Sequence, residues 1–527
     1  MDNEFIGIDF GACNIKATRI IGRKIRNIKL NSSKDGGDNS NYVRNQLFYD
    51  KRTDGTIAPK LGVKVVGDEL LNVVSNIKQK LAMEKWEQYV PNLGRNVTTD
   101  VVISDVFKIV KDKILATKSD YENSQLDAVL TVPVVFSEIQ KRKIIEAAKL
   151  AGINATQIIT ESFAAFFSKE EYLNGDKTEL EIDENQLVLI FDCGGSTLDI
   201  SLIEIYQEDE EIKVFELASK GMFFGGLDLD KWIFGYLSKE KYPEKIKNIL
   251  KNDKLGCEKQ HLLQEISNSK EYLYIEGEDS VEISGIDIDG NGYDLELSRD
   301  DINYILDKKA IKNRINALIE ELFEEADSVA LQYQLPIEAL KENVTRVHNF
   351  GGTSYISYFL DMLEENFECF DAEEASDWDD DNAFSIAAGA TIYSKLLHCG
   401  SSIDIKNIVP FNVGFVDSKG RFRNGLRKSD IYGTGKYYPV EYNYIQENNF
   451  KINLYQTFSE KQGCLVNDEE IIFMGTVLLD KEKYDYRKEL SIKLDRMSDG
   501  SICIITAQLD DENDIYKVET LPLRIGE

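Results

Sequence analysis

Two short phrases in this chain carry the residue types and spacing needed to hold a polyphosphate and its metal. Near the amino terminus, Phe5-Ile6-Gly7-Ile8-Asp9-Phe10-Gly11-Ala12-Cys13-Asn14 reads as a buried strand, an aspartate and a glycine turn. The stretch from Leu187 to Ile200 repeats that logic with Asp192, Cys193, Gly194, Gly195, Ser196, Thr197 and Asp199. Apolar runs such as Leu187 to Phe191 suit a strand buried on both faces, and a glycine just beyond lets backbone amides approach phosphate oxygens as an anion nest. Asp9 and Asp192, at the strand ends, are placed to hold a hydrated magnesium ion, which takes few carboxylates and keeps several waters. Thr197 offers a hydroxyl to a phosphate, and Asp199 could orient water or the metal's shell. Either phrase alone reads equally as an ordinary turn after a strand. Their pairing at the heads of two halves of one chain makes a duplicated domain gripping a nucleotide from both sides the leading reading.

The elements that must position these residues follow from hydrophobic pattern and punctuation. A first strand pair is expected over about residues 4 to 29, then a polar loop from Asn31 to Ser40. A helix is expected from Glu69 to Met83, with Lys78 its one notable inward polar candidate, although a helix lysine is otherwise a solvated charge. Asp127 to Val132 reads as a buried strand ending at Pro133, followed by a helix from about Ser137 to Ala151 with Ser137 as N-cap and Gly152 as stop. A short strand, Gln157 to Thr160, then delivers Glu161 to the mouth of the next helix. Strand, helix, strand in this order predicts a parallel right-handed unit.

Composition bounds the function. A chain of 527 residues exceeds one usual core, so two or three folding units are expected. With 42% hydrophobic and 29% charged residues it reads as soluble and globular. A formal net charge of -31 disfavours nucleic acid and anionic membrane as partners. Seven scattered cysteines, at 13, 193, 257, 369, 399, 464 and 503, lack CxxC spacing and read as reduced thiols of a cytoplasmic protein. No signal peptide precedes the first strand, and no apolar run reaches membrane-spanning length. The acidic stretch Asp371 to Asp381 lacks the ligand spacing and central glycine of a calcium loop and reads as a solvated loop. His261, His348 and His398 form no metal pair; His348 reads as a packed strand residue.

In block order the chain resembles the heat-shock protein 70 chaperones, the DnaK-like branch of the actin and sugar-kinase ATPase superfamily. Thr131-Val-Pro133-Val-Val-Phe136 followed by Ile158-Ile-Thr-Glu161-Ser-Phe-Ala-Ala165 is similar to the family's proline-switch and catalytic-glutamate stretch. Gly225-Gly226-Leu-Asp-Leu-Asp230 looks like its second-lobe motif, Asn349-Phe-Gly351-Gly352-Thr-Ser354 like its adenosine loop, and Ala387-Ala-Gly-Ala390 like the helix returning to the hinge. Five motifs in order carry more weight than any one. The resemblance implies an α/β fold: a two-lobed actin-like ATPase, a duplicated ribonuclease-H-like fold, over residues 1–395, with lobe I about 1–185 and lobe II about 186–395. A linker, 396–407, and an all-β sandwich, 408–527, would follow.

Carried over by position, the resemblance has Asp9 and Asp192 hold Mg2+ through water, Glu161 sit by the attacking water, and Lys78 reach the terminal phosphate. Thr197 and Asp199 would help place nucleophile and metal, while Gly11, Ala12, Cys13, Gly194, Gly195, Gly225, Gly226, Lys270, Gly351, Gly352 and Tyr355 would surround ATP or ADP. Pro133 and Lys141 stand where the family relays nucleotide state. This agrees with the residue chemistry, since phosphoryl transfer needs mostly positioning and charge neutralisation. The departures also matter. Ala12-Cys13 replaces a pair of threonines, Ser267 stands for glutamate, and Glu271 and Tyr355 each stand for arginine. An aromatic ring at Tyr355 could replace one guanidinium plane by stacking. ATP binding is expected, weaker or less base-selective than in the mainstream family, with slow hydrolysis.

Past residue 395 the pattern changes. Residues 396–407 read as a linker whose apolar character rests on Ile403 and Ile405, so weaker interdomain docking is expected. Lys451–Gln456, Ile471–Leu479, Glu489–Asp495 and Ser501–Ala507 alternate as strands, with Asp499-Gly500 as a hairpin turn. Such a unit can capture extended polypeptide by backbone hydrogen bonds and apolar pockets. Phe411 to Phe415, Tyr432, Tyr437 and Tyr438 are groove candidates, core packing being the commoner role. No helical lid follows the last strand before Glu527, so bound peptide is expected to leave quickly. The favoured reading is an atypical ATP-dependent chaperone acting on unfolded or extended polypeptide, with co-chaperones as further partners. The alternatives are a nucleotide-gated scaffold for one specific protein and, more weakly, a small-molecule kinase.

Overall fold

In the computed structural model of the chain the described residues run from Phe5 to Pro522, apart from positions 23, 32–40, 66, 82, 84, 118–125, 169–184, 209–210, 254–255, 276, 288, 339, 377–379, 400–402, 407–408, 410–411, 418, 429, 432–435, 441–450, 458–470, 481–489, 497–501 and 510–514. The architecture is mixed α/β as far as Cys399, beyond which strands are the regular elements among the described residues.

Strand β1 (Ile6–Phe10) is buried along its whole length and pairs antiparallel with β2 (Asn14–Ile21), which pairs with β3 (Lys24–Asn27). On the other side β4 (Leu126–Val132) lies parallel to β1, and β5 (Ile153–Thr160) parallel to β4. The order β5-β4-β1-β2-β3 is extended by a two-residue strand, Val43–Arg44, paired with β2. A second sheet repeats the central part. β6 (Gln186–Cys193), β7 (Leu198–Glu208) and β8 (Glu211–Met222) form an antiparallel run, and β9 (Arg346–Phe350) lies parallel to β6. Both leading strands are apolar runs with two buried faces, as strands of parallel pairs require. Each carries an aspartate, Asp9 or Asp192, as its penultimate residue, near the carboxyl edge of its sheet.

The crossover from β4 to β5 holds helix α1 (Glu138–Leu150), where Ser137 caps as expected and shares a reciprocal capping box with Gln140, a device worth about 1 kcal/mol. Strand β5 starts at Ile153, four residues before the sequence suggested. It feeds α2 (Glu161–Phe166), whose entry is fixed by the Thr160 hydroxyl accepting from the Phe163 amide. Helix α3 (Asp380–Cys399) crosses α2 so closely that a side chain at Gly389 would strike the Ala164 carbonyl. It is tied to β2 where Thr18 donates to the Ala387 carbonyl at 2.9 Å. One apolar cluster joins these helices to both sheets, from Val129 and Ile159 through Phe163 and Phe167 to Val188, Ile190, Ile203 and Tyr393.

Three expectations are corrected. In place of one helix over Glu69–Met83 the chain forms a 3-10 turn (Gly67–Asn72), a two-residue strand (Val73–Val74) and a single helical turn (Ile77–Lys80). Val73 and Val74 pair with Phe48 and Leu47, and Asn76 adopts a left-handed φ of 54°, which interrupts any helix. Segment 396–407 is not a loosely docked connection: α3 continues to Cys399, and β10 (Ile403–Lys406) adds to the second sheet parallel to β8. Ile403 and Ile405 pack on the shared cluster, and Lys213 pairs with Asp404 at 3.1 Å. Two isoleucines suffice because backbone pairing supplies the rest. The acidic stretch is in part structural, since Asp371 caps a short helix by accepting from Glu373 and Glu374. The loop over 32–40 and the Asp499-Gly500 turn lie outside the described residues.

Beyond β10 are two four-stranded sheets, named by their residues. One has the order Phe422–Leu426, Asn412–Val416, Lys451–Thr457, Ile472–Leu478; the other Tyr438–Val440, Leu490–Arg496, Ile502–Leu509, Ile515–Pro522. Alternating residues of both, including Val413, Leu454, Val477, Ile492, Leu494 and Ile504, form one apolar core. This all-β region meets the rest of the chain through polar contacts. The Glu138 amide donates to Gln456 at 3.1 Å, Arg496 to the Ile158 carbonyl at 2.6 Å, and the Ile431 amide to the Tyr333 hydroxyl at 3.1 Å. Glu325 bridges Lys220, at 2.6 Å, and Lys428.

Candidate functional site

The ends of the two sheets bring five ionisable side chains together. Asp9 and Asp192 come from the ends of β1 and β6, Asp199 from the start of β7, Glu161 from the first turn of α2, and Lys78 from the helical turn Ile77–Lys80 within the corrected segment. All five are buried. Lys78 makes a close ion pair with Glu161, and its ammonium sits 6.0 Å from the centre of the Phe136 ring. Asp199 accepts from the Val134 amide at 3.0 Å, so a second-sheet residue is held by the backbone just after Pro133. Glu161, Asp192 and Asp199 each offer an oxygen within 4.8 Å of the others, a spacing able to share one cation.

Electrostatics follow from that crowding. Burial raises the carboxyls of Glu161, Asp192 and Asp199, and their mutual repulsion adds to it; Asp192 is pushed up to about 8. Desolvation opposes the Lys78 charge, but Glu161, Asp9 and Asp199 outweigh it and hold the ammonium above its ordinary value. Lys16 adds a second cation, 3.5 Å from Asp9. Four carboxylates therefore face two ammonium groups. Oδ1 of Asp9, Oδ1 of Asp192 and Oδ2 of Asp199 are buried with no hydrogen-bond partner among the described residues. Four carboxyl groups set against two ammonium groups, with three buried carboxyl oxygens unsatisfied among the described residues, fit a hydrated divalent cation such as Mg2+.

Glycine turns ring this cluster. The Gly226 and Leu227 amides donate to the Gly194 and Gly195 carbonyls at 3.1 and 2.8 Å, so Gly225-Gly226 and Gly194-Gly195 lie backbone to backbone. Thr353 donates to the Gly194 carbonyl at 2.8 Å and draws in the third turn. There Gly351 has φ of 80°, and a side chain on it would lie 2.5 Å from Asp192 Oδ1. Gly352 beside it is exposed, Tyr355 half-buried. Thr197 is buried, its carbonyl accepting from the Gly194 amide at 3.0 Å. Lys270 is buried against Asp230 at 2.6 Å and donates to the Gly226 carbonyl at 3.0 Å. From the first sheet, Gly11 is held by Asn45, which donates to its carbonyl at 2.8 Å, and Ala12 is buried. The Cys13 thiol points at Gly195, in the gap between the two turns, on a residue that is exposed as a whole. Desolvation pushes that thiol up to about 11, with Lys270 and Lys16 pulling it down and Glu271 and Asp230 opposing them.

The acids and Lys78 thus lie together, with the Gly194-Gly195, Gly225-Gly226 and Gly351 turns, Ala12 and Cys13 beside them; the groove candidates Phe411 and Tyr432 lie outside the described residues. Glu271 is exposed near Cys13 and Lys270, outside the buried cluster, and Tyr355 ends the 3-10 turn after Gly351. Several residues escaped notice. Lys16 was visible in the β1–β2 register, which sets it opposite Asp9. Asn45 carried no signal, since its role depends on a contact 34 residues away. His348 is half-buried on β9, its ring 6.3 Å from Phe350.

The frame, the buried acids and the glycine turns define the class, and comparison with known proteins gives the family. The profile described as Hsp70 protein matches residues 42–470, well over half of the chain. The chain belongs to the Hsp70 family, a family of ATPases with ATP-dependent chaperone function. The match includes the Asp192 phrase and leaves out the Asp9 phrase. Among the described residues no helix is long and apolar enough to cross a membrane.

Proposed function

We propose that this protein binds ATP or ADP with Mg2+ between the two sheet edges, hydrolyses ATP slowly, and uses the nucleotide state to control a C-terminal β unit that holds unfolded or extended polypeptide. In this reading residues 1–395 form two actin-like lobes, 396–407 the connection, and 408–527 a peptide-binding sandwich. The observation that carries it is the buried cluster of Asp9, Lys78, Glu161, Asp192 and Asp199 enclosed by glycine turns. Asp9 and Asp192 hold the hydrated cation, which when bound neutralises phosphate charge. Lys78 faces the terminal phosphate, and Glu161, kept in place by Lys78, accepts from the attacking water. Thr197 and Asp199 orient that water and the metal's shell, and backbone amides of Gly11 and Gly195 face the phosphates, while the Gly194 and Gly226 amides hold the turns in shape. Lys270, held by Asp230, fixes the Gly226 turn by donating to its carbonyl, while Gly351, Gly352 and Tyr355 face the nucleoside. Unpaired thiols at Cys13, Cys193, Cys257 and Cys369 support a reducing, cytoplasmic setting.

A second reading rests on Ala12 and Cys13, which give the first turn no hydroxyl, and on Glu271 and Tyr355: a nucleotide-gated scaffold for one protein partner, with little hydrolysis. Peptide-stimulated turnover separates the two. A chaperone releases many unrelated extended peptides when ATP binds; a scaffold holds one folded partner and ignores unfolded chains.

A further inference from the structure

The helical turn Ile77–Lys80 carries two lysines, and the proposed chemistry uses only one of them. Lys78 is fully buried and pairs with Glu161. Lys80 is half-buried and turns to Trp86 instead, its amine 4.4 Å from the centre of the indole ring. Trp86 is itself half-buried, packed on the core cluster that holds Ile77, Leu81 and Val90. The setting differs from that of the other lysines taken out of water. Lys78, Lys141 and Lys270 are buried against Glu161, Glu138 and Asp230. Among the described residues no hydrogen bond or ion pair engages the Lys80 amine, and the indole face is its one close polar or aromatic neighbour.

An amine shielded from water with no carboxylate beside it has little to hold its proton: burial penalises the charged form, and a ring face returns only part of that loss. Burial accordingly pushes the Lys80 amine down to about 8. Lys78, Lys213, Lys220 and Lys308, each beside a carboxylate, are held above their ordinary value, and Lys428, which is also lowered, is paired with Glu325. At pH 7.5 about a quarter of Lys80 is neutral, against about one part in a thousand of an ordinary lysine.

We propose that Lys80 is an acyl-acceptor site, the amine in this chain that takes a small acyl group from an activated donor, a thioester or an acyl phosphate. The neutral nitrogen attacks the donor's carbonyl carbon and forms the N–C bond. The C–S or C–O bond breaks, the thiolate or phosphate leaves with the electron pair, and the proton lost by nitrogen goes to the leaving group or to water. The half-buried setting suits a short acyl chain, and the uncharged planar amide formed can lie on the indole face where the ammonium lay. The site needs neither nucleotide nor metal, so it stands apart from the reading of the acidic cluster.

The test is acetylation of the full chain at low total labelling, with acetyl phosphate in one arm and an acetyl thioester of a small thiol in the other, and occupancy of each lysine read by peptide mass spectrometry. At pH 7.5 Lys80 is expected to react at least about tenfold faster than the exposed lysines Lys51, Lys85 and Lys247 with at least one donor. That preference should fall by about twentyfold at pH 9.5, because ordinary lysines gain about ninetyfold in neutral amine over this range and Lys80 about fourfold. Trp86→Ala, which lets water reach the amine, should cut the preference at pH 7.5 at least about fivefold, and Trp86→Phe should keep most of it. A preference with one donor alone upholds the site and identifies the donor class. Lys80 reacting no faster than the exposed lysines with either donor at pH 7.5 would overturn the proposal, as would a preference unchanged at pH 9.5, which would mark accessibility rather than a neutral amine. Both of these readings use the wild type, so they decide the matter even where Trp86→Ala folds poorly.

Discussion

The Asp9 and Asp192 turns occupy equivalent places on two sheets of like topology, yet they differ in what their side chains offer. Asp192 is followed by Gly194-Gly195-Ser196-Thr197, which keeps hydroxyls near the acids. Asp9 is followed by Gly11-Ala12-Cys13, which keeps a glycine and no hydroxyl. Asp9 has Lys16 at 3.5 Å, whereas Asp192 is crowded by Glu161 and Asp9 and pushed up to about 8. The family match contains the second turn and not the first. Strand burial and register hold the aspartate in place in both copies, and backbone amides need no particular side chain to face a phosphate. The threonine-like contacts are the part of such a turn that is free to drift.

The largest way to break this comparison is to remove the shared acid. Asp192→Asn is expected to lower ATP turnover at least about a hundredfold, and Lys78→Ala to do the same, read by phosphate release under saturating ATP. Equal turnover in either variant would mean the cluster is structural. Next comes the backbone: Gly351→Ala forces a left-handed φ on alanine and drives its methyl into Asp192, so a loss of roughly 1–3 kcal/mol is expected by denaturant midpoint. An effect below a few tenths of that would show that the turn can move away.

Proton linkage follows. Asp192 is protonated below about pH 8 without a cation, so Mg2+ binding must displace that proton. Mg2+-ATP affinity should rise with pH up to about 8 and then level, with proton release visible in calorimetry across buffers of different ionisation heat. Glu204 behaves oppositely as a stability group: buried, with both oxygens lacking partners among the described residues, it is raised to about 8. A carboxyl raised in the folded state favours folding while protonated, and that contribution fades as pH climbs from the unfolded value near 4.5 to about 8. Glu204→Gln should therefore be nearly neutral at pH 4 and stabilise by several kcal/mol at pH 9. The smallest effect concerns the first turn itself. Cys13→Thr should tighten ATP by roughly fivefold, about 1 kcal/mol for one regained hydrogen bond, and no change would place Cys13 off the phosphate path.

Much of this was legible because it was local. The strand-aspartate-glycine phrases, the Ser137 cap and the alternating strands after residue 450 each depend on neighbours a few positions away. The helix over Glu69–Met83 failed because its apolar spacing suited a helix, while Val73 and Val74 found strand partners at 47 and 48 and Asn76 turned left-handed. The docking of 403–406 failed for the same reason: pairing with β8, some 190 positions earlier, adds backbone hydrogen bonds that apolar content does not report. Within the site, residue types pointed to the acids and Lys78. Asn45 acts through a long-range contact that leaves no periodic trace.

Steady-state ATP hydrolysis by the wild type beside Lys78→Ala and Asp192→Asn, with Mg2+ and with or without a mixture of unfolded peptides, is the most direct test. Slow Mg2+-dependent turnover that both substitutions abolish and peptides stimulate is the expected result. Measurable Mg2+-dependent ATP binding with no turnover under any of these conditions would contradict the hydrolytic cycle.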